Sequence, residues 1–199
     1  MIFNNLQILL IITSIGYGCV QDNSFEGSTK NQRLNENAPA ETESLGRLVG
    51  KWDAKIESLD KDGNWNPGTN KIEWHWYYIL NGHGIQDDWI TEKLAKDGSD
   101  STLVYGTNIR IFNKQENKWH MAWIHGDGRK LATFTAVNEN DKVIMEGRNA
   151  DGREVRITFF DMTDNSFEWQ QEWTFDEGKS WTVVVKIHCK RFINESSSS

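Results

Sequence analysis

The segment Leu45-Gly-Arg-Leu-Val-Gly-Lys-Trp-Asp53 decides how the rest of the chain is read. Its first residues are spaced for one short helical turn, with Glu43-Ser44 offering an N-cap, and Gly50-Lys51-Trp52 then opens the first long strand. Over residues 51–59, Trp52, Ala54 and Ile56 alternate with Asp53, Lys55 and Glu57. A period of two marks a strand with one dry face. At the far end of the chain, residues 181–192 form a last strand, which carries Arg191 close to its end.

Every segment between these two also reads as a strand. Residues 71–80, 85–93, 102–113, 118–125, 129–137, 142–149, 153–162 and 167–175 are each bounded by Gly-, Asn- or Asp-rich turns such as Asn81-Gly-His-Gly84 and Asp176-Glu-Gly178. Trp74, Trp76 and Tyr78 share one side of their strand, Asp87 sits in phase with Ile85 and Trp89, and Trp119 and Trp123 are in phase with His125. In the final hairpin, Phe167, Trp169, Gln171, Trp173 and Phe175 form one phase, and Trp181, Val183, Val185, Ile187 and Cys189 the other apolar face. About ten strands joined by hairpin-length turns predict an all-β, antiparallel up-and-down β-barrel, because closure removes the exposed edges of a long meander. A β-sandwich is the alternative.

A Gly-x-Trp on the opening strand with an arginine on the closing one resembles the lipocalin-like (calycin) barrels, in which the arginine covers a buried indole where first and last strands meet. The resemblance spans residues 45–192. In the order of its motifs the chain is most similar to a large, uncharacterised bacterial group of lipocalin-like domains of unknown function. It implies structural roles for Trp52 and Arg191 and a barrel domain over 45–193. Haem-binding members of the wider group take an axial histidine from a late strand. His188 lies in that region, but its phase points outward and Cys189 takes the inward slot, so no cofactor is expected.

The 199 residues suffice for one domain, and ten tryptophans help to fill a core. A net charge of -7, without a Lys/Arg cluster, argues against a nucleic-acid partner. Residues 1–18 carry no charged side chain and hold an apolar run from Leu6 to Ile15, the pattern of a signal peptide. Gly18-Cys19 and the polar tract that follows look like a bacterial lipoprotein signal, with Cys19 lipidated and residues 19–44 a flexible tether. Secretion across the inner membrane and anchoring in the bacterial envelope would follow; an ordinary signal peptide with an incidental cysteine is the alternative. Residues 194–199 read as a disordered tail. With Cys19 lipidated or removed, only Cys189 is left, and the mature domain has no disulfide.

Nucleophile elbows, phosphate-cradling glycine loops, His-Glu-x-x-His and paired Cys-x-x-Cys are all missing, so no metal is expected. Among the five histidines, His75, His120 and His188 are in phase with polar neighbours, His83 sits in a turn, and His125 alone faces a rim of the barrel. Asp87 is a carboxylate on an apolar phase, which is costly unless paired or used. Arg110, Arg129 and Arg148 are candidate partners. Asp161 reads as a solvated strand end. Gln171 is a single amide among indoles.

If the barrel is hollow, Trp74, Trp76, Tyr78, Trp89 and Trp119 line it from one part of the chain. Trp123, Trp169 and Trp173 do so from the rest, and Asp87, His125 and Gln171 supply polar contacts. The expected partner is then a small, largely apolar or aromatic molecule. An isomerase, hydratase or cyclase using Asp87 or His125 is an alternative for the same cavity. A glycan-binding surface is another; it requires a row of outward tryptophans over a filled interior.

Overall fold

The structure is a computed structural model that describes residues 33–94, 100–126, 130–149 and 151–192. The expected signal peptide, Cys19 and the tail from 194 lie outside the described residues, as does Arg129. Among the described residues eleven strands follow in order: β1 (Gly50–Leu59), β2 (Trp65–Pro67), β3 (Ile72–Ile79), β4 (Gly84–Leu94), β5 (Asp100–Asn113) and β6 (Lys118–His125). They continue as β7 (Lys130–Glu139), β8 (Lys142–Arg148), β9 (Glu154–Phe160), β10 (Ser166–Trp173) and β11 (Thr182–Arg191). β2, only three residues long, is a short flap paired with the end of β1. The other ten form an antiparallel meander, and β11 returns to pair with β1, setting Trp52 opposite Arg191 and Ile56 opposite Ile187. The chain is therefore a closed barrel and not a sandwich.

One end is sealed by the expected pair. Trp52 is fully buried, and its indole N–H donates to the Leu48 carbonyl at 2.7 Å. The Arg191 guanidinium stacks 4.0 Å above the indole and donates to the carbonyls of Val49 (2.7 Å), Arg47 (2.8 Å) and Asp164. One side chain thus ties the entry turn, the β9–β10 turn and the first strand together. Gly50 is part of the same device: its φ is +136°, and a Cβ there would lie 2.3 Å from Arg191 Nη1. Gly50→Ala should destabilise by about 1–3 kcal/mol, the usual cost of such backbone strain. Urea unfolding measures it, and a cost near zero would mean that the arginine clamp is not tight.

The helical turn begins earlier than the sequence suggested. A 3-10 turn at Ala40–Thr42 runs into α1 (Glu43–Gly46), so Thr42 holds the cap position and Ser44 instead donates back to the Glu41 carbonyl at 2.8 Å. Residues 33–44, read from the sequence as the end of a tether, lie against the sealed end. Leu34 packs on the core, and Asn35 bonds the backbone of Asn81 (2.9 Å) and Gly82 (3.2 Å).

The core fills the sealed half of the barrel. Alternate residues of β3 (Ile72, Trp74, Trp76 and Tyr78) are buried, and Phe167 meets Trp52 edge-on at 4.8 Å. The last strand departs from its expected phase. Between Gln171 and Glu172 the register slips, with Val185 opposite the first and Val183 opposite the second, so Val184 is an extra residue. This bulge turns Val183 and Trp181 off the inner face. Trp181 lies outside, under the Arg156 guanidinium at 4.2 Å.

Candidate functional site: a cavity at the open end

Trp74 is the boundary between the packed and hollow halves. Its ring meets Trp76 at 5.1 Å and Phe167 at 5.7 Å on the packed side, and Trp89 at 5.0 Å and Trp169 at 6.4 Å on the other. Beyond it lies a cavity of about 680 Å³, within the range of small-molecule sites. Indoles of β3, β4, β6 and β10 line it, with Phe134, Met145 and Ile157 completing the apolar wall. Trp123 packs closely over Gly106, where a Cβ would come within 2.3 Å of the indole. Tyr105 is set at the mouth by a second register shift, since Gly106 stands opposite Trp89 and Val104 opposite Ile90.

The polar residues fall in two layers. Deep in the wall are Asn108, Arg110 and Gln171. Arg110 is 1% exposed and forms an ion pair with Asp87, which is 0% exposed; Trp74 Nε1 donates to the same carboxylate at 2.5 Å. The guanidinium also stacks on Trp76, 4.4 Å from its centre. Burial lowers the Arg110 pKa to about 9, so it is still a cation at neutral pH. The structure therefore selects Arg110 as the partner of Asp87. Arg148 is engaged at the surface with Glu154 and the Gly152 carbonyl. At the mouth are Tyr105, His125, Asn149 and the ion pair Lys130–Asp151 at 2.6 Å. The His125 ring meets Tyr105 at 4.5 Å and Trp123 at 6.1 Å.

Of the residues singled out from the sequence, Trp74, Trp89, Trp123, His125, Trp169 and Gln171 come together around this cavity. The others lie elsewhere. Trp76 is beneath Arg110, and Asp87 stands behind it, its carboxylate committed to Arg110 and Trp74. Tyr78 packs at the sealed end, where a Cβ on Gly46 would strike its hydroxyl at 2.2 Å. Trp119 is at that end too, edge-on to Phe112 (5.4 Å) and donating to Asn138 Oδ1 at 3.0 Å. Trp173 lies under the Arg153 guanidinium at 4.0 Å, beside Phe175.

Tyr105, Asn108, Lys130, Asn149 and Asp151 were not singled out, because each reads locally as a turn residue or an ordinary polar strand position. The signal for Asn108 was its phase with Arg110 and Phe112, visible only once that phase is known to be the inner one.

The outer surface offers less. His75, His120 and His188 face outward, paired with Glu73, Glu116 and Glu168 respectively. Trp65 and Trp181 are separately capped by Lys186 and Arg156 and form no row. A groove of about 610 Å³ beside β1 and β11 is lined largely by charged groups such as Lys55, Glu57 and Lys186. Among the described residues no group of three or more His, Cys, Asp or Glu is placed to hold a metal ion.

No protein-family model matches the sequence, and no curated protein matches it. Solved structures do match by shape. The S-type phycobiliprotein lyase CPES from Guillardia theta superposes with a TM-score of 0.51 at 10% identity, covering 77% of this chain and 93% of that one. Rv2717c from M. tuberculosis gives 0.51 at 10% identity, covering 79% of this chain and 100% of its own. What the chain shares with both, at that identity, is the lipocalin-like barrel fold.

Proposed function

We propose that the protein binds a small, largely apolar or aromatic molecule in the open half of the barrel and serves as a carrier for it. The observation behind this reading is the cavity of about 680 Å³ walled by Trp74, Trp89, Trp123 and Trp169. Interiors normally pack to the density of organic crystals, so a hollow half walled by large aromatics is an arrangement suited to a guest. The Guillardia theta barrel acts on phycobiliproteins, and at 10% identity that likeness supports the scaffold and leaves the guest to this chain's own residues.

Anthracene, which accepts energy from excited indoles, is a direct probe. It is expected to quench tryptophan emission saturably. Trp169→Ala, in the wall, should weaken binding about tenfold, the scale of losing one well-packed aromatic contact. Trp181→Ala, outside, should leave it unchanged. Equal effects of the two variants would remove the cavity as the site.

The envelope location is part of the same proposal. Cys19 is expected to carry a lipid and residues 20–32 to connect it to the barrel. Cys19→Ser should then move the protein from the membrane fraction to the soluble one, and unchanged fractionation would remove the anchor.

A further inference from the structure

We propose that the guest carries no net charge: a flat aromatic molecule whose polar edge is an amide- or carbonyl-type group, met in the wall by Gln171. This deepens the reading of the cavity as a binding site and rests on it. Among the described lining residues the charges are matched. Both cations there have a carboxylate in contact: Arg110 has Asp87 behind it, and Lys130 has Asp151 at the mouth. Apart from those pairs, the ionisable side chains of the lining are His125 and Tyr105, which pack against each other.

An anionic guest would give up its water for a wall whose cations are already matched, and a cationic guest would find only matched carboxylates. Burying a charge without a free counter-charge is strongly unfavourable. Fatty acids and multiply charged pigments are poorly suited to this wall.

A purely hydrocarbon guest is disfavoured by a different observation. Gln171 is half-buried in the indole wall beside Trp169, and its side-chain amide has no hydrogen-bond partner among the described residues. Across the lining, Asn108 is 4% exposed and its Oδ1 also has no partner. A primary amide offers two donors and an acceptor, and leaving it unmatched under a hydrocarbon forfeits its hydration without return. A guest with an amide or carbonyl edge restores those bonds while its rings lie on the indoles.

The test is a calorimetric titration of the purified protein near pH 8, where an ordinary imidazole is neutral. The probes are anthracene carboxamide, anthracene carboxylate and unsubstituted anthracene. The carboxamide is expected to bind about tenfold or more tighter than the carboxylate, given the cost of burying an unmatched charge, and also tighter than anthracene. Gln171→Leu should cut the carboxamide's advantage over anthracene about fivefold, the scale of one lost hydrogen bond, with Asn108 left to supply the rest. Gln171→Lys, which installs an unmatched cation at the same point, should reverse the order in favour of the carboxylate. Carboxylate binding as tight as carboxamide binding to the unaltered protein would overturn the neutral-guest inference and leave the cavity reading standing. A carboxamide preference left unchanged by Gln171→Leu would overturn the role of Gln171. If none of the three probes binds, the cavity reading itself fails.

Discussion

Asp87→Ala is expected to cost the barrel about 3–5 kcal/mol, because it leaves a buried guanidinium with no counter-charge. Arg110 is 1% exposed and held between the Trp76 ring and the Asp87 carboxylate, and that carboxylate is the counter-charge in contact with it. The loss would also strand the Trp74 indole N–H, which donates to the same carboxylate. Chemical denaturation measures the effect. A diagnostic companion is the double variant Asp87→Leu with Arg110→Met, which removes both charges and refills the volume; it should recover most of the loss, since apolar replacements for buried ion pairs are often neutral or better. A single-variant cost under about 1 kcal/mol, the scale of a solvent-exposed pair, would mean that the pair is hydrated.

Trp52→Ala is the second large effect, at about 3–5 kcal/mol for truncating a buried aromatic. The indole is fully buried, donates to the Leu48 carbonyl, meets Phe167 edge-on and lies under Arg191. Its removal opens a void where β1 meets β11 and takes away the surface on which the arginine rests. Lost stability should therefore come with faster exchange of the Phe192 amide, which bonds the Lys51 carbonyl across the seam, and of the Arg191 amide, which bonds the Asn165 carbonyl in the β9–β10 turn. A destabilisation below about 1 kcal/mol would be too small for a core tryptophan.

These two residues differ in how far they could be read in advance. Trp52 announced its role through a local pattern, Gly50-Lys51-Trp52 opening an alternating strand, and its partner Arg191 sat where a last strand had to end. Asp87 announced only a problem, a charge on an apolar phase. Arg110 was one of three arginines available to it, and nothing local separates them. On β5, a reading by apolar content would turn Ile109 and Ile111 inward; the barrel buries Asn108, Arg110 and Phe112 and leaves Ile111 42% exposed. The inner face of that strand is set by the register with β4, which puts Asp87 opposite Asn108.

The same division holds for the cavity. Indole positions on β3, β4, β6 and β10 were legible because alternation places Trp74, Trp89, Trp123 and Trp169 on inner phases. Their level along the barrel was not: Trp76, Tyr78 and Trp119 have equally good phases and belong to the packed half. Phase states which side of a strand a residue takes; height depends on the stagger of all the strands together. Trp181 departed for a related reason, since the extra residue Val184 shifts the register of β11 against β10 and with it the side that the residues before it take.

By itself, then, the amino-acid order determined the number of long strands, their turns, the up-and-down path and the tryptophan–arginine seal, since these follow from alternation, turn chemistry and the need to bury one face of each strand. Only the tertiary structure decided which arginine neutralises Asp87, which half of the barrel stays hollow and which polar groups look into it. Those depend on register and bulges, which arise when strands far apart in sequence are forced to close one ring.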